Sequence, residues 1–278
     1  MKKILMILLL PLWLLSKDVI VWSQYEFPPI YILSGENKGL GYEQQQEDEI
    51  RKYLKNYEHK IISTSVARTL YTIKNTKNTC SGLLKSKERE KYIYFSVAVN
   101  ALVPNGLYIR KNEYKKFKKY IEKDGRLNLD KVVKSHKFKL AFRKLRSYGN
   151  FIDRFKKSDS FIAIDKGKVN LLLLLKSGRI DGYFTYSNEA LKHVKLLGEN
   201  PDDYMFLSIK GSSYTPTYIG CSKSKFGKKI IKEMNKYILS HRENTLLEHY
   251  LKWIDKHEAN RIRKNIHQIF KKIGNGDN

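Results

Sequence analysis

Residues 80–96 decide the fold, and they read Cys-Ser-Gly-Leu-Leu-Lys-Ser-Lys-Glu-Arg-Glu-Lys-Tyr-Ile-Tyr-Phe-Ser. The run 79–83 is suited to a strand, and Gly82 introduces a turn. Ser86 follows, and Arg89 comes three residues later. A hydroxyl group and backbone donors beside a guanidinium suit the bidentate capture of a carboxylate. Spacing alone is weak support for such a site, because a single Arg after a strand is more often a surface residue.

Strand and helix patterns alternate on both sides of this stretch. In the first half, the strand patterns lie at 18–22, 61–63 and 79–83, and the helix patterns lie at 50–57 and 67–73. In the second half, the strand patterns lie at 138–142, 161–164 and 182–184, and the helix patterns lie at 150 onward, 169–175 and 190–197. This order predicts α/β units with mostly parallel sheets flanked by helices. Two such units in succession predict two lobes with a ligand cleft between them, at the carboxyl ends of the strands.

Two extended segments, 102–109 and 214–220, are predicted to connect the lobes, and apolar helical stripes follow residue 226. The predicted division is a signal peptide at 1–16, a first lobe at 17–105 and 216–273, a second lobe at 106–215, and a disordered tail at 274–278.

The N-terminus has the pattern of a secretory signal. Lys2 and Lys3 precede an unbroken apolar run at 4–15, which is too short to span a bilayer as a helix. A buried N-terminal helix is the alternative, but the cationic start and Pro11 favour export. We therefore expect a cleaved signal peptide and a soluble protein in the periplasm or otherwise outside the cell.

The chain has 278 residues, a formal net charge of +26 and only two cysteines. Its lysines are spread among apolar residues, which indicates a solvated surface rather than a nucleic-acid interface. Binding of anionic polymers is a further alternative, and it predicts steep salt dependence. Cys80 and Cys221 form one plausible disulfide in an oxidising compartment, or two buried thiols in the cytosol.

The motifs resemble those of family 3 bacterial solute-binding proteins, the periplasmic amino-acid-binding components of ABC transporters. That family carries a strand, a small-residue turn, T-x-x-R and, six residues later, F-S. Ser86 to Arg89 and then Phe95-Ser96 match this pattern, with Ser in place of Thr. The other matching segments are 27–29 (Phe-Pro-Pro), 146–149 (Arg-Ser-Tyr-Gly), 178–181 (Gly-Arg-Ile-Asp) and 219–224. The resemblance implies the type II periplasmic binding fold and the capture of a small carboxylate-bearing ligand.

The resemblance also implies a role for each matched residue. Arg89 would hold the ligand carboxylate with help from Ser86 and from backbone groups near Gly82, and Phe27 would stack on the ligand. Ser147 and Tyr148 would donate from the second lobe. The resemblance assigns no role to Arg68; its place at the start of the second helix pattern makes it a candidate for an extra cation of the cleft, or equally for a solvated surface residue. A Cys80–Cys221 disulfide would join distant parts of one lobe without hindering hinge motion.

Tyr186 marks a departure from the family pattern. Members that bind free amino acids carry an acidic residue at this position, which pairs with the α-ammonium. A phenol accepts a hydrogen bond but carries no charge at neutral pH. The sequence therefore predicts either a ligand without a free α-ammonium or a different acid that meets it.

No signature of a P-loop, a dinucleotide fold, a zinc protease or a hydrolase elbow occurs in the sequence. We therefore expect no enzyme activity, no cofactor and no metal. The expected form is a monomer, and the expected partner is an inner-membrane ABC permease, or a receptor if the protein is a sensing or accessory component. The enzymatic alternative is a cyclohexadienyl dehydratase on the same fold, which needs a cleft acid as proton donor.

Overall fold

The computed structural model describes residues 17–144, 148–164 and 170–274. The strands, in chain order, are β1 (Val19–Gln24), β2 (Glu58–Ser63), β3 (Thr79–Leu83), β4 (Ile93–Phe95), β5 (Asn100–Leu102), β6 (Gly106–Arg110), β7 (Leu140–Arg143), β8 (Phe161–Ile164), β9 (Gly182–Thr185), β10 (Tyr204–Leu207) and β11 (Thr215–Ser222). The helices are α1 (Tyr42–Tyr53), α2 (Val66–Asn75), α3 (Tyr114–Phe117), α4 (Leu129–Lys134), α5 (Asn150–Asp153), α6 (Leu171–Lys176), α7 (Ser187–Leu196), α8 (Lys225–His241), α9 (Thr245–Leu251) and α10 (Lys256–Ile273). The predicted signal peptide lies outside the described residues.

These strands form two sheets, as predicted for a two-lobed α/β protein. The first sheet has the order β2-β1-β3-β11-β4, with β5 also paired to β11, and the second has the order β10-β6-β9-β7-β8. The parallel pairs are those of the predicted strand–helix–strand units, β1 with β2 and β3, and β7 with β8 and β9. Strands β6, β10 and β11 add antiparallel pairs, so both sheets are mixed.

Strands β5 and β11 form the connection between the two sheets. They pair antiparallel, and Leu102 lies opposite Thr215. The two segments in which the chain passes from the first sheet to the second and back therefore lie side by side. The predicted lobe boundaries near residues 105 and 215 fall next to this pair and remain a prediction.

Each sheet buries apolar residues of its own strands against its own helices, and a third buried cluster contains residues of both sheets. Trp22 and Ile50 are fully buried in the first core, and Phe117 and Leu140 are fully buried in the second. The Trp22 indole N–H donates to His59 Nδ1 at 3.1 Å, so the polar group of this buried ring has a partner.

The last helix, α10, packs against β10 of the second sheet. It begins after Asp255, whose carboxylate accepts the backbone N–H of Glu258. Glu258 is fully buried and bonds Arg261, with 2.9 Å between Arg261 Nε and Glu258 Oε2. Glu258 Oε1 accepts the Ser208 hydroxyl at 2.6 Å. This bond connects α10 to the residue that follows β10.

The predicted disulfide is present between Cys80 on β3 and Cys221 on β11. The two residues lie directly opposite each other in the antiparallel pair, with their Cα atoms 4.1 Å apart. Both side chains are buried in the first core. Within the described ranges, no helix is long and apolar enough to cross a membrane.

Candidate functional site

A cavity of about 520 Å³ opens between the two sheets. Its walls come from the loop after β1, the first turn of α1, the turn after β3, the crossing strands β5 and β11, the start of α7 and the region around α9. The lining is largely apolar or aromatic, and the polar side chains are few: Glu43, Arg89, Ser187, Asn188, Thr215 and Thr217, with the phenols Tyr25, Tyr42, Tyr186 and Tyr250. A mostly apolar cleft with a few convergent polar groups is the usual form of a small-molecule site.

Arg89 lies on the wall of this cavity and is half-buried. Its Nη1 donates to the carbonyl oxygen of Leu84 at 2.7 Å, which fixes the guanidinium beside the end of β3. A guanidinium has five N–H donors, so this bond leaves donors for a ligand anion. Ser86 does not line the cavity; its Oγ accepts the backbone N–H of Arg89 at 3.3 Å and so supports the turn.

Gly82 is needed because other groups approach its Cα closely. Its N–H donates to the Tyr31 hydroxyl at 2.9 Å, and its carbonyl oxygen accepts the Tyr25 hydroxyl at 3.3 Å. A Cβ at this position would collide with Glu43 Oε2 and with the Tyr31 hydroxyl. The glycine therefore makes room for a carboxyl group at the end of β3.

Phe27 and Tyr186 both line the cavity, one beside the first sheet and one beside the second. Phe27 is 57% exposed on the loop after β1, and Tyr186 is 44% exposed at the residue before α7. The Tyr25 ring lies 6.4 Å from the Phe27 ring, between centroids, so the first-lobe wall is aromatic. The structure thus brings Arg89, Phe27 and Tyr186 around one space.

The remaining predicted site residues lie elsewhere. Arg68 is exposed on α2 and stacks over Tyr71, with its Cζ 5.0 Å from the ring centroid; it does not line the cavity. Tyr148 is buried in the second core, where its hydroxyl accepts the Arg143 backbone N–H at 2.8 Å. Ser147 lies outside the described residues.

Glu43 is a cavity residue that the sequence interpretation missed. It lies in the first turn of α1, beside Gly82, and is only 7% exposed. Glu47, one turn later, is 1% exposed; its Oε1 accepts the Tyr31 hydroxyl at 2.6 Å, and its Oε2 accepts an N–H of Gln24 at 2.7 Å.

A signal for these two carboxyls was present in the sequence. Glu43 and Glu47 precede Ile50 and Leu54 at spacings of 4, 3 and 4 residues, which place all four on one helix face. Ile50 and Leu54 are buried, so the acids continue an apolar stripe. Carboxylates are almost never fully buried without a partner. Two acids on the buried face of a helix therefore indicate a candidate functional site.

Burial changes the titration of both acids. It removes water from the Glu43 carboxyl and, with the nearby charge of Glu47, raises the pKa of Glu43 to about 8. Burial also raises the pKa of Glu47 to about 7, against the hydrogen bond from Tyr31 and the charge of Arg51, which lower it. Ionisable groups with strongly shifted pKa values in a cleft mark candidate functional sites.

A metal has no cluster of ligands here: within the described ranges, no group of three or more His, Cys, Asp and Glu side chains has the geometry to hold one. The polar groups of the cavity instead comprise one guanidinium, one buried carboxyl, one amide and several hydroxyls. This set suits a small amphipathic ligand.

No protein-family model matches the chain, and no curated protein matches it. Solved structures do match. The probable amino-acid ABC transporter extracellular-binding protein of Bacillus subtilis is 19% identical, with a TM-score of 0.56 over 87% of this chain and 100% of that chain. A polar amino acid ABC uptake transporter substrate binding protein of Streptococcus thermophilus is 16% identical, with a TM-score of 0.61 over 90% of this chain and 92% of that chain.

An ancestral cyclohexadienyl dehydratase is also similar, at 16% identity and a TM-score of 0.58, over 85% of this chain and 92% of that chain. At such identities the similarity shows the fold. The two-lobed type II periplasmic binding protein fold predicted from the sequence is thereby confirmed, and several of the similar structures are named as binding proteins or binding domains of amino-acid ABC transporters.

Proposed function

We propose that the chain is an exported solute-binding protein that captures a small carboxylate-bearing, amino-acid-like ligand in the cavity between its lobes. The observation that carries the proposal is the Arg89 guanidinium on the cavity wall, held in place by Leu84. Arg89 binds the carboxylate, Phe27 and Tyr25 contact the apolar part, and Tyr186 donates from the second lobe when the lobes close. The names of the similar solved structures support an amino-acid-like ligand.

The same comparison supports the cellular role that we propose. The protein works as a monomer outside the cytoplasm, after removal of residues 1–16, and hands its ligand to an ABC permease; a receptor as partner would use the same cleft. The buried Cys80–Cys221 disulfide supports export, because disulfides persist in oxidising compartments.

The test is a thermal-shift screen of amino acids, dicarboxylates and keto acids, because a ligand that binds only the native state raises its melting temperature. For each hit, Arg89→Ala is expected to weaken affinity about 10- to 100-fold, the range for losing a hydrogen-bonded charge. Arg263→Ala removes the same charge from the exposed face of α10 and is the matched control. Unchanged affinity in Arg89→Ala would show that the site assignment is wrong.

A second candidate function rests on Glu43. A cleft carboxyl that keeps its proton near neutral pH is a suitable general acid, and one similar solved structure is a dehydratase. In such a reaction Glu43 would protonate a leaving hydroxyl, which departs as water, while the carboxylate on the ring of prephenate leaves as carbon dioxide and its electron pair completes the aromatic ring. Prephenate turnover by the purified protein tests this candidate: turnover that Glu43→Gln abolishes supports it, and no turnover excludes it.

A further inference from the structure

The segment 111–139, beside the second sheet, carries a dense group of lysines. It contains eleven Lys and Arg against four Asp and Glu. All four acids are held in ion pairs, namely Glu113 with Lys116, Glu122 with Lys131, Asp124 with Arg126 and Asp130 with Arg154. Across the described ranges, the other eight cations of the segment have no acid within ion-pair distance. We call these eight the lysine face: Lys111, Lys115, Lys118, Lys119, Lys123, Lys134, Lys137 and Lys139.

Aromatic contacts hold the two ends of this segment together. Phe117 stacks on Phe138 with 4.4 Å between the ring centroids, and Tyr120 meets Phe138 edge-on at 5.7 Å. The turn at 118–120 therefore lies beside the residues that lead into β7, and it also contacts α4. Lysines that are 15 to 20 residues apart in the chain thus share one surface.

Two of these lysines meet at the Tyr120 ring. Lys119 Nζ lies 5.1 Å from the centroid of the ring. The Ser135 hydroxyl, Lys119 and Lys137 all lower the pKa of the Tyr120 phenol, because each of them stabilises the phenolate. The charges of the lysine face therefore act together on the same atoms.

The lysine face lies on the side of the second sheet that is turned away from the first. Leu107 and Leu140 pack in the second core with the aromatic rings beneath the lysines. Tyr108 and Ala141, the next residues along the same strands, belong to the cluster that contains residues of both sheets. None of the eight lysines lines the cavity. The face is therefore accessible whether the cleft is open or closed.

The side chains of the face indicate the kind of partner. All eight cations are exposed lysines, and an ammonium is a point charge on a flexible stem that needs no fixed acceptor geometry. The aromatic residues of 111–139 are buried or half-buried, so they offer no platform for stacked bases. Its aliphatic residues are not exposed either, so a contact through this face is electrostatic and does not insert into an apolar layer. Mobile phosphate headgroups suit such a surface.

We propose that the lysine face docks the protein on a bilayer surface rich in anionic phospholipids, where its ammonium groups bind the headgroup phosphates. Clusters of about four to eight basic residues are attracted to anionic leaflets in this way. The inference goes beyond the proposed function, because no residue of the lysine face takes part in the cavity. Docking on this side leaves the cleft free to bind its ligand at the membrane.

The first test is vesicle sedimentation with the purified protein. Vesicles with about 30% phosphatidylglycerol are expected to bind it at least 10-fold more tightly than vesicles of phosphatidylcholine alone. Raising the salt concentration from about 50 to 200 mM is expected to weaken this binding several-fold. No binding to anionic vesicles, or equal binding to neutral ones, overturns the proposal; equal binding would point to the apolar run at 4–15.

The second test removes four charges from the face. The variant Lys118→Gln/Lys119→Gln/Lys134→Gln/Lys137→Gln is expected to bind anionic vesicles at least 10-fold more weakly than the wild type. All four side chains are exposed, and an unchanged melting temperature would show that the variant is folded. Binding equal to that of the wild type would overturn the proposal.

The matched control removes four charges from the exposed side of α8. The variant Lys225→Gln/Lys228→Gln/Lys232→Gln/Lys236→Gln has the same net charge as the face variant and the same N-terminus. It is expected to stay within about 2-fold of the wild-type affinity. An equal loss in both variants would show that net charge alone attracts the vesicles, and the proposal of a defined face would be wrong.

A footprint on the unmodified protein locates the contact directly. Lysine acetylation followed by mass spectrometry is expected to show that anionic vesicles protect the lysine face and leave the α8 lysines reactive. Equal protection of both groups would contradict the proposal. If single-stranded DNA binds the face more tightly than the vesicles do, and the face variant loses that binding, the partner is a nucleic acid and the bilayer is the wrong partner.

This proposal and the proposed function fail separately. Arg89→Ala is expected to bind anionic vesicles as the wild type does, and the face variant is expected to keep the ligand-induced rise in melting temperature. Loss of vesicle binding in Arg89→Ala would place the contact at the cleft and overturn the docking proposal.

Discussion

At the scale of the residue, Gly82 determines much of the cleft chemistry although it has no side chain. The sequence places it beside Arg89 as a source of backbone donors. In the structure its N–H and carbonyl oxygen hold Tyr31 and Tyr25, and its missing Cβ leaves the space that the Glu43 carboxyl occupies. One small residue therefore makes room for the Glu43 carboxyl beside the cavity that Arg89 also lines.

The raised pKa values of Glu43 and Glu47 predict a pH dependence of stability without ligand. In the unfolded chain both carboxyls have pKa values near 4.5, so between about pH 4.5 and 8 the folded state binds more protons. Stability from this pair is complete below about pH 4.5 and is lost as pH rises to about 8. Glu43→Gln should match the wild type near pH 5 and exceed its free energy of unfolding at pH 8, by on the order of 3 kcal/mol.

Urea denaturation at pH 5 and pH 8 measures this difference. Glu36→Gln, an exposed acid, is expected to follow the wild type at both pH values. Identical pH dependence of the wild type and Glu43→Gln would contradict a proton held by Glu43.

At the scale of the residue, the sequence predicted three cavity residues, Arg89, Phe27 and Tyr186. It missed Glu43 because the helix was predicted only over 50–57, whereas it begins at Tyr42, so the helix face that Glu43 shares with Ile50 was not recognised. Tyr148 matched the family motif, but its ring fills the second core. A local motif fixes a residue's neighbours in the chain but not the direction in which its side chain packs.

At the scale of the element, α10 offers a matched pair of arginines. Arg261 is 9% exposed and bonds the fully buried Glu258, whereas Arg263 is exposed and bonds Glu248 at the surface. Arg261→Met is expected to lower the free energy of unfolding by about 3–5 kcal/mol, because it leaves a buried charge without its partner. Arg263→Met is expected to change it by less than about 1 kcal/mol.

Equilibrium denaturation of both variants checks this prediction. If the double variant Glu258→Gln/Arg261→Met is more stable than Arg261→Met alone, the cost arises from the unpaired carboxylate. If Arg261→Met and Arg263→Met lower the free energy of unfolding equally, the role assigned to the buried Glu258–Arg261 pair is contradicted.

Local sequence patterns predicted some strands closely and missed others. Those inside strand–helix–strand units were predicted closely; β3 and β8 have the predicted limits. Strands β4 and β10 were missed, and β5, β6 and β11 were expected only as extended connections. Their pairing depends on partners at least 75 residues away in the chain, and no nearby residue encodes such contacts.

At the scale of the whole molecule, the Cys80–Cys221 disulfide closes a loop of 141 residues that contains the entire second sheet. The double variant Cys80→Ser/Cys221→Ser is expected to lose about 2–4 kcal/mol of unfolding free energy, chiefly because its unfolded chain is less constrained. Denaturant titration with and without a reductant measures this: the reductant should shift the wild type to the variant's midpoint and leave the variant unchanged. A wild-type midpoint that does not move after full reduction would contradict the prediction.

The pairing of β3 with β11 also sets an order in time. A ribosome makes the chain from its N-terminus, so all strands of the second sheet, from Gly106 to Leu207, exist before Thr215 begins β11. Until then β1, β2 and β3 lack the neighbour that joins them to β4. The lobe that is begun first in synthesis is therefore completed last.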